Sequence, residues 1–463
     1  MTILRATLAA FLPFAAIWLP LAAMPLVYLV RRRSFIAAAL AAATVLVSGW
    51  MLWQRPPPSS EIFNRPLLLS EMARALILGL SLWLAVAFLY AWRVAQGRSL
   101  FPFLLVSYAL ISVALFFQEL VIRVLILKIA WLTAILLVQG GFSATTRAAS
   151  RLLIVIVLAV PAFLSAAVLI DRYTLQPDLT GLVGIIAILL ALGFSLMLAI
   201  IPFHAWLPQS AEDGPPLIAA FLVAGLSSAY LVLLVDLLGR YRWLAESPQM
   251  QTLLNSGGLL VALAGGLLAF SETHLGRLWA YTTLADLGFL LLGLGLGTIV
   301  GLEGALLVGA ARLLNLLVSG AALATIRHRA TSLEISSLAG VGAKLPLTML
   351  ALAISGLGLL GVPLTPGFPG HWIVLRELLR DHPTWVWLLL ASMGLGMIGY
   401  SRAFAAAFQE GLAARVATIE REPRLGTALL LAVSAAAIGL ALFPQRLQPA
   451  IDYVLASLIR VRL

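Results

Sequence analysis

Long apolar runs at close spacing constrain the fold of this chain more than any other feature. Runs long enough to cross a bilayer, about 20 residues each, fall near 8–30, 34–53, 73–95, 100–117, 119–140, 151–170, 180–201, 215–238, 253–271, 277–298, 303–326, 345–362, 384–408 and 426–445. In lipid, a single segment satisfies its own backbone hydrogen bonds only as a helix. The sequence therefore predicts an all-α integral membrane protein with about fourteen transmembrane helices.

The balance of residue types points to lipid as the main solvent. Of the 463 residues, 62% are hydrophobic and 11% are charged, whereas soluble domains carry about a quarter charged residues. The first apolar stretch continues to Val30 with no small-residue cleavage site after it, so no cleavable signal peptide is expected. Short connections between the runs predict one polytopic membrane domain over 1–463.

The chain carries a net charge of +11. In a soluble protein this excess would suggest nucleic acid, but arginines between apolar runs are better explained by phospholipid headgroups. We therefore expect the lipid bilayer as a partner and no nucleic acid. Arg31–Arg33 and Arg93 with Arg98 follow the first and third runs, and positive loops stay in the cytoplasm. The chain is expected in the cell inner (cytoplasmic) membrane with both termini outside.

Thiol chemistry is excluded because the chain has no cysteine. Disulfides, Cys-ligated iron–sulfur clusters and thiolate zinc sites therefore cannot form. The five histidines include no pair at i, i+4, which gives a metal or haem site little support. No Rossmann or P-loop glycine motif suggests nucleotide chemistry. We expect no metal, no cofactor and no catalytic centre in this chain.

Proline interrupts the seventh and the twelfth run. The seventh continues into Pro202 and His204, and the twelfth into a segment that contains Pro363, Pro366 and Pro369. Proline removes a backbone hydrogen bond and exposes carbonyls that need another partner. Broken helices in corresponding halves are typical of inverted-repeat transporters with an ion path near the midplane. The alternative explanation is that these prolines only end helices and mark no ion path.

Three stretches carry distinctive motifs. Residues 202–209 read P-F-H-A-W-L-P-Q and are followed by E-D-G-P-P-L at 212–217. Residues 275–288 read L-G-R-L-W-A-Y-T-T-L-A-D-L-G, and residues 361–371 read G-V-P-L-T-P-G-F-P-G-H. In this order they resemble P-F-H-x-W-L-P-D … A-P-T-P-V, L-K-R-L-L-A-Y-S-S-I-S-x-x-G and G-I-P-P-x-x-G-F-x-G-K. Those are motifs of one known family, the antiporter-like proton-channel subunits of respiratory complex I and the related multi-subunit cation–proton antiporters. The resemblance covers roughly residues 100–410.

The resemblance implies fourteen helices with two inverted five-helix repeats and breaks in helices 7 and 12. Helices 1–3 would occupy 1–99, the first repeat (helices 4–8) 100–240, the second repeat (helices 9–13) 250–410, and helix 14 with the tail 411–463. It also implies a subunit that moves protons beside other membrane subunits, with the redox centres in other chains.

The chain departs from the family where the family carries protons. The resemblance places Met197 at the lysine of helix 7 and Ser227 at the second lysine or histidine, in helix 8. Neither side chain holds a proton near neutral pH. Lys128 takes the place of the glutamate of helix 5, with Glu119 as a rival for that position. In helix 12, His371 replaces a lysine and remains titratable.

Ionisable residues within the apolar runs are candidates for a proton path, and they are Lys128, Glu119, His204, Asp286, His371 and Glu377. Each also has a structural explanation. Lys128 would reach the interface or pair with Glu119, and His204 would cap a helix end. Asp286, Arg312 and Asn315 would form a polar axis, or would only hold helices together by hydrogen bonds.

The leading hypothesis is a membrane-arm subunit of a complex I-like NADH–quinone oxidoreductase, contributing to proton translocation through a degenerate path. One alternative is a subunit of a multi-subunit cation–proton antiporter or ion-coupled uptake system, and another is a non-conducting scaffold subunit. The substitutions predict a partial path. His371 would face a hydrated cavity with Glu377, Arg376 and Arg402 as neighbours, and the stretch around Met197 would be dry or bypassed.

Overall fold

The computed structural model describes residues 2–54, 60–62, 65–97, 99–139, 146–411 and 419–462. Nearly all of these residues are helical. The helices are α1 (Thr2–Leu29), α2 (Ser34–Gln54), α3 (Glu71–Arg93), α4 (Leu100–Phe116), α5 (Leu120–Gln139), α6 (Thr146–Leu175), α7 (Gly181–Leu198), α8 (Trp206–Asp213), α9 (Pro216–Phe221), α10 (Ser228–Arg240), α11 (Arg242–Ala245), α12 (Pro248–Ser271), α13 (Leu275–Gly295), α14 (Ile299–Ala330), α15 (Val341–Lys344), α16 (Pro346–Leu359), α17 (Phe368–Asp381), α18 (Pro383–Phe408), α19 (Arg424–Leu442) and α20 (Gln448–Arg462). Single 3-10 turns lie at Phe203–Ala205, Ile335–Ser337 and Pro444–Arg446, and a π-helical segment lies at Leu222–Ser227.

Membrane crossing follows from the length and hydropathy of these helices. Eleven helical segments of the described chain are long and apolar enough to span a bilayer, and three shorter apolar helices accompany them, Ala15–Leu29, Leu100–Phe116 and Pro346–Leu359. Large apolar side chains remain exposed along the helices, including Leu82, Ile188 and Trp387. Exposed apolar surface on this scale requires contact with hydrocarbon. The chain is therefore a multi-pass integral membrane protein.

The connection between α2 and α3 departs from the all-α expectation. Strand β1 (Ser60–Ile62) pairs antiparallel with β2 (Arg65–Leu67), and Ser60 stands opposite Leu67. The three consecutive prolines at 56–58 lie outside the described residues. Proline cannot continue a helix, so the chain makes a short extended hairpin before α3 begins.

Small residues set the spacing of α12 and α13. A Cβ on Gly265 would lie 2.6 Å from the backbone nitrogen of Ala285, and a Cβ on Gly288 would lie 2.5 Å from that of Ala262. Transmembrane helices associate through such close van der Waals contact, because lipid tails are as apolar as the side chains. The tight contact fixes the position of Asp286, the neighbour of Ala285.

Helices are interrupted at both proline-rich places. α7 ends at Leu198, Ala199 adopts a left-handed conformation with φ of 60°, and α8 begins at Trp206. α16 ends at Leu359 and α17 begins at Phe368. Both breaks therefore leave unpaired backbone groups inside the bundle, where protein groups have to satisfy them.

The prolines do not all act as helix breaks. Pro202 lies in the gap between α7 and α8, and Pro363 and Pro366 lie in the gap between α16 and α17. Pro369 is instead the second residue of α17. A proline in the first helical turn removes no hydrogen bond, because those N–H groups have no partner within the helix.

The two broken helices run in opposite directions through the bundle. The start of α7 lies beside the start of α12, where a Cβ on Gly184 would be 3.9 Å from the Gln249 side chain. The end of α8 lies against the start of α13, where Gly276 contacts Ala211. Since α13 and α14 then cross and return, α16 begins at the end of the bundle where α8 finishes.

The bundle has two ends with different structures. The α8 face is the end at which α8 finishes and α13 begins. The α20 face is the opposite end, at which α14 begins. There α20 contacts the start of α14 through Gln448 and Glu303, and the start of α3 through Tyr453 and Glu71.

The eighth apolar run is not one regular helix. It consists of α9, the π-helical segment and α10. Ser228 Oγ donates to the carbonyl oxygen of Val223, five residues back, at 3.1 Å. π-Helical turns are frequent at functional sites, and this one ends at Ser227, one of the two substituted positions.

Candidate functional site

The break between α16 and α17 places His371 in the middle of the bundle. Its Nδ1 lies 2.9 Å from the carbonyl oxygen of Gly367, and its ring packs against Phe289 with 4.4 Å between ring centroids. A Cβ on Gly361 would lie 2.4 Å from His371 Cγ, and Gly361 has a φ of +67°. Only glycine meets both conditions, so the break itself holds the imidazole.

Three ionisable side chains from three helices meet beside this break. Arg312 of α14 forms an ion pair with Asp286 of α13 through Nη1 and Oδ2, and Nη1 also donates to the Thr283 carbonyl at 2.9 Å. His371 Nε2 lies 3.7 Å from the other carboxylate oxygen of Asp286, Oδ1. Asp286 and His371 are each 1% exposed, and Arg312 is 2% exposed. We call Asp286, Arg312 and His371 the second-half cluster.

The second-half cluster can gain and lose one proton without breaking its ion pair. Arginine stays protonated in proteins, so Arg312 places a permanent positive charge beside the Asp286 carboxyl group. In neutral His371, an N–H at Nδ1 donates to Gly367 and leaves the lone pair of Nε2 directed toward Asp286. A proton taken up at Nε2 would therefore face a carboxylate, which stabilises the imidazolium.

Asn315 does not complete the expected polar axis. It follows Arg312 by about one turn of α14 and is buried, and its amide makes no hydrogen bond to a described residue. A Cβ on Gly358 would lie 2.6 Å from its Oδ1. The amide therefore packs against the backbone at the end of α16, and the axis continues through His371 instead.

A second buried group surrounds Lys128 in α5. Its Nζ lies 2.8 Å from Met197 Sδ and 5.8 and 5.5 Å from the ring centroids of Phe163 and Tyr230. Lys128 is 6% exposed, so it does not reach the interface. No described carboxylate lies within ion-pair distance of it. We call Lys128, Met197, Phe163 and Tyr230 the first-half cluster.

The two substituted positions contact each other in the first half. Ser227 Oγ donates to the carbonyl oxygen of Met197 at 3.5 Å. That carbonyl lies in the last turn of α7, where the helix leaves acceptors unpaired. Ser227 therefore provides a hydrogen-bond donor to the backbone at the end of α7.

Sequence reasoning missed an ion pair near the α20 face. Arg123 Nη2 lies 2.5 Å from Asp236 Oδ2 and joins α5 to α10, with Arg123 almost fully buried. The signal was available, because Asp236 is a carboxylate within the eighth apolar run, and such residues are functional candidates by default.

Glu119 does not pair with Lys128. It precedes α5, and its carbonyl oxygen accepts from the backbone N–H of Arg123 at 3.0 Å. Nine helical residues separate it from Lys128, about 13 Å along the axis. Side chains that far apart on one helix cannot form a direct ion pair.

Glu377 and Arg402 are not the neighbours of His371. Glu377 pairs with Arg380 on its own helix at 3.1 Å. Arg402 donates to the carbonyl oxygen of Glu272 at 3.1 Å, at the α8 face. The break turns His371 inward toward α13, which spacing along the sequence could not show.

The first and second family-like motifs pack together at the α8 face. Arg277 of the second motif pairs with Glu272 at 2.9 Å and with Glu212, just after the first motif, at 3.6 Å. His204 packs near Tyr281, with 6.0 Å between ring centroids. Both motifs therefore fix α8 against α13, and His204 lies at that junction rather than in either inner cluster.

His274 lies in the loop that joins α12 to α13. Burial, together with the smaller effect of the nearby Arg327 and Arg277, lowers the pKa of His274 to about 4. The imidazole is consequently neutral at physiological pH. A neutral histidine beside two arginines adds no charge to this crowded end of the bundle.

Metal binding has no geometric support among the described residues. They include no group of three or more His, Asp or Glu side chains arranged to hold an ion. The second-half cluster contains a permanent cation, which repels metal ions. Its chemistry suits proton exchange at His371.

Comparison with known sequences gives one family match. The family described as "NADH:quinone oxidoreductase/Mrp antiporter, TM" matches residues 107–398. NADH-quinone oxidoreductase subunit N of Desulforudis audaxviator is 28% identical over 407 residues, which are 81% of this chain and 77% of that protein. Alignments with two further subunits of that name span about half of their length.

Solved structures show the same fold. A chain of respiratory complex I from Thermus thermophilus superposes with a TM-score of 0.80 at 21% identity, covering 97% of this chain and 99% of that one. A chain of the archaeal membrane-bound sulfane sulfur reductase gives 0.84 at 17% identity, covering 97% and 98%. At these identities the likeness establishes the antiporter-like fold.

Proposed function

The chain belongs to the NADH:quinone oxidoreductase/Mrp antiporter transmembrane family, and on that premise we propose that it is a membrane-arm subunit of a complex I-like assembly. In that assembly it moves protons across the inner membrane, driven by electron transfer in other subunits. Relatives named as NADH-quinone oxidoreductase subunits support this choice. So do the structural neighbours, which are parts of multi-subunit membrane complexes.

The second-half cluster is the observation that carries the proposal. Burying three ionisable groups in a membrane protein costs free energy, and such groups usually have a function. In the proposed mechanism, His371 takes a proton at Nε2 while Asp286 faces it at 3.7 Å. Arg312 prevents Asp286 from taking that proton instead, because it holds the carboxylate in its charged form.

Lys128 is the proposed proton carrier of the first half. Met197 lies against its Nζ at 2.8 Å and cannot titrate. Aromatic rings and a thioether accept an ammonium weakly, so the charged and the neutral lysine are both tolerated there. The first half would then conduct through one lysine on α5 and none on α7 or α10.

The proposed architecture is fourteen crossings with two inverted repeats, at 100–240 and 250–410, between N-terminal helices in 1–99 and a C-terminal part in 411–463. Consecutive helices pack in the same order in both halves. Contacts of α4 with α5, α5 with α6, and α6 with α7 in the first half correspond to those of α12 with α13, α13 with α14, and α14 with α16 in the second. The opposite directions of the broken helices also support the inversion.

Arginine placement supports the proposed orientation. The arginines at 31–33 follow α1, and Arg93 ends α3. Positive loops remain cytoplasmic. The start of α3 and the whole of α20 would then lie outside, as would both termini, and the α8 face would be cytoplasmic.

A second candidate function is a subunit of a multi-subunit cation–proton antiporter without a redox partner. The family description itself includes the Mrp antiporters. Purification of the assembly from its native membrane separates the two. Flavin and iron–sulfur absorbance in the purified assembly supports the complex I-like function, and a colourless assembly that exchanges cations for protons supports the antiporter.

His371→Ala tests the proposed function. Proton uptake into vesicles containing the whole assembly should fall at least about tenfold, which is the scale expected for loss of a positioned proton carrier. His382→Ala is the matched control, since His382 is exposed at the other end of the same helix. Full coupling in assembled His371→Ala would overturn the proposal and favour a non-conducting scaffold.

A further inference from the structure

An apolar cavity of about 210 Å³ lies near the α20 face, and its lining residue Ala75 on α3 is exposed. Five helices line it, α3, α10, α13, α14 and α20. Its polar lining side chains are Arg312 at the inner end and Ser228 on α10, and the other lining residues are apolar. The cavity therefore lies between α10, which carries Tyr230 of the first-half cluster, and Arg312 of the second-half cluster.

Residue size explains why the helices leave space here. Farther into the bundle α3 and α14 are close, since a Cβ on Gly79 would lie 3.2 Å from Leu313. Toward the α20 face the lining residues of α14 include Ala305, Gly309 and Ala310. Gly309 has only Leu290 Cδ1, at 3.8 Å, near its missing Cβ. Small side chains on two diverging helices leave a groove instead of a contact.

Polar contacts of α20 mark the level of the membrane surface above this groove. Gln448 donates to Glu303 at 3.0 Å, and Tyr453 donates to Glu71 at 3.1 Å. The other side of α20 is apolar and packs Ile451, Val454 and Leu455 inward. An amphipathic helix with this arrangement lies in the interface plane, so α20 roofs the cavity and the opening below it faces hydrocarbon.

The depth of the cavity matches one leaflet. Nine residues of α14 separate Glu303, at the roof, from Arg312, at the inner end, which is about 13 Å. Half of a hydrocarbon core of about 30 Å is about 15 Å. A lipid tail lying parallel to the helices would therefore extend from the surface to the level of Arg312.

Water and a partner helix fit less well. The volume would hold roughly seven waters, each needing about three hydrogen bonds. Ser228 already donates to Val223, and Arg312 Nη1 already bonds to Asp286 and Thr283. No described side chain with an acceptor oxygen lines the cavity apart from Ser228, so the lining offers too few polar groups for seven waters. One turn of a helix about 10 Å wide occupies roughly 400 Å³, so a transmembrane helix does not enter this space.

We propose that the cavity binds one acyl chain of a membrane phospholipid, with α20 as its roof. The chain fills the space between α10 and α14 with hydrocarbon. It thereby keeps Arg312 dry on that side and insulates the two halves from each other. Binding of this lipid does not depend on proton transport, so the inference and the proposed function fail independently.

Photocrosslinking tests this site. The whole assembly is reconstituted in phosphatidylcholine vesicles that contain phosphatidylcholine with a diazirine at the end of one acyl chain, and labelled peptides are mapped after irradiation. Leu231 and Leu290 are buried and line the cavity, so label on them requires a chain inside it. Label only on outward residues such as Leu82 and Ile188 would overturn the proposal.

A filled cavity provides the second arm. Gly309→Leu projects a side chain into the open space and should lower labelling of Leu231 and Leu290 about tenfold, as loss of a specific site would. Gly439→Leu on α19, where nothing lies within 4 Å of the missing Cβ, is the matched control and should leave labelling unchanged. Equal labelling in both variants would mean that the chain does not occupy this cavity. If Gly309→Leu fails to assemble, the position of the label in the unaltered protein still decides.

Discussion

Buried charged residues in this protein are of two kinds: some form ion pairs, and others have only weakly interacting neighbours. Asp286 and Arg312 neutralise each other, and Arg123 and Asp236 do the same near the α20 face. Lys128 instead has sulfur and aromatic neighbours. Matched pairs stay charged, whereas a cation with weak partners can release its proton. Residues of the second kind, together with His371, are the ones to expect in transport.

Asp286→Asn should lower the stability of the whole chain. Removing one partner of a buried ion pair costs about 3–5 kcal/mol, because Arg312 is left unmatched. We expect poor assembly and a lower unfolding temperature of the purified complex, measured by thermal denaturation. Asp286→Leu combined with Arg312→Met should recover assembly without transport.

The exposed pair Arg242–Glu246 provides the control for that experiment. Glu246→Gln should leave assembly and unfolding temperature unchanged, since solvent-exposed ion pairs contribute little. Normal stability of Asp286→Asn would show that the buried pair is not matched in the way described.

Replacement of Lys128 distinguishes proton transfer from fixed charge. Lys128→Arg keeps the charge but cannot release a proton, so proton uptake by vesicles should fall at least about tenfold. Met197→Leu keeps the volume and removes the sulfur, and uptake should change by less than about twofold. Normal uptake with Lys128→Arg would rule out Lys128 as a carrier.

At the scale of elements, the helix breaks determine where the proposed proton carriers lie. α7 and α16 stop within the bundle, and their continuations α8 and α17 point toward opposite faces. The break after α16 also turns His371 toward α13, where Asp286 lies. The π-helical turn before α10 brings Ser227 to the end of α7. Irregular backbone inside a membrane protein persists where protein groups satisfy it.

Gly361→Ala should damage the second break. Its Cβ would lie 2.4 Å from His371 Cγ at a φ of +67°, so the imidazole must move. We expect proton uptake to fall about tenfold or more, because a displacement of about 1 Å can cost a hundredfold in a positioned group.

Gly297→Ala is the matched control for that change. Gly297 has a φ of +66°, so the backbone strain is equal, but its Cβ would meet only the flexible end of Gln251, at 3.4 Å. It should lower stability and leave the transport rate per assembled complex unchanged. Equal loss of transport in both variants would indicate strain alone and no role for the His371 contact.

The whole molecule is a bundle whose ends carry different structures. The family-like motifs and their ion pairs lie at the α8 face, and α20 lies at the α20 face. The inner clusters lie between them, at or near the breaks. In the proposed function, protons would reach these clusters from the two faces.

Labelling at single cysteines tests the proposed orientation. The natural chain contains none, so an introduced thiol gives an unambiguous signal. Gln249 and Glu410 are exposed near the α20 and α8 faces. A membrane-impermeant maleimide should label Gln249→Cys in intact spheroplasts and Glu410→Cys only after permeabilisation. The reverse pattern would invert the topology.

The sequence by itself determined the class of fold, the broken runs and most of the candidate residues. Apolar length decides whether a segment crosses lipid, and proline decides where a helix cannot continue, and both properties are local. The family resemblance depended on three local motifs in the same way. Lys128, Asp286 and His371 stood out because an ionisable group within an apolar run is visible without any structure.

Only the tertiary structure decided which of these residues meet. Asp286, Arg312 and His371 are far apart in the chain, and the direction of His371 depends on the turn at Gly361. Lys128 contacts Met197 rather than Glu119, since α7 packs beside α5 at that level. The lipid-facing cavity arises from five helices together. Contacts across helices depend on how whole helices pack, and the local pattern of a sequence does not encode that packing directly.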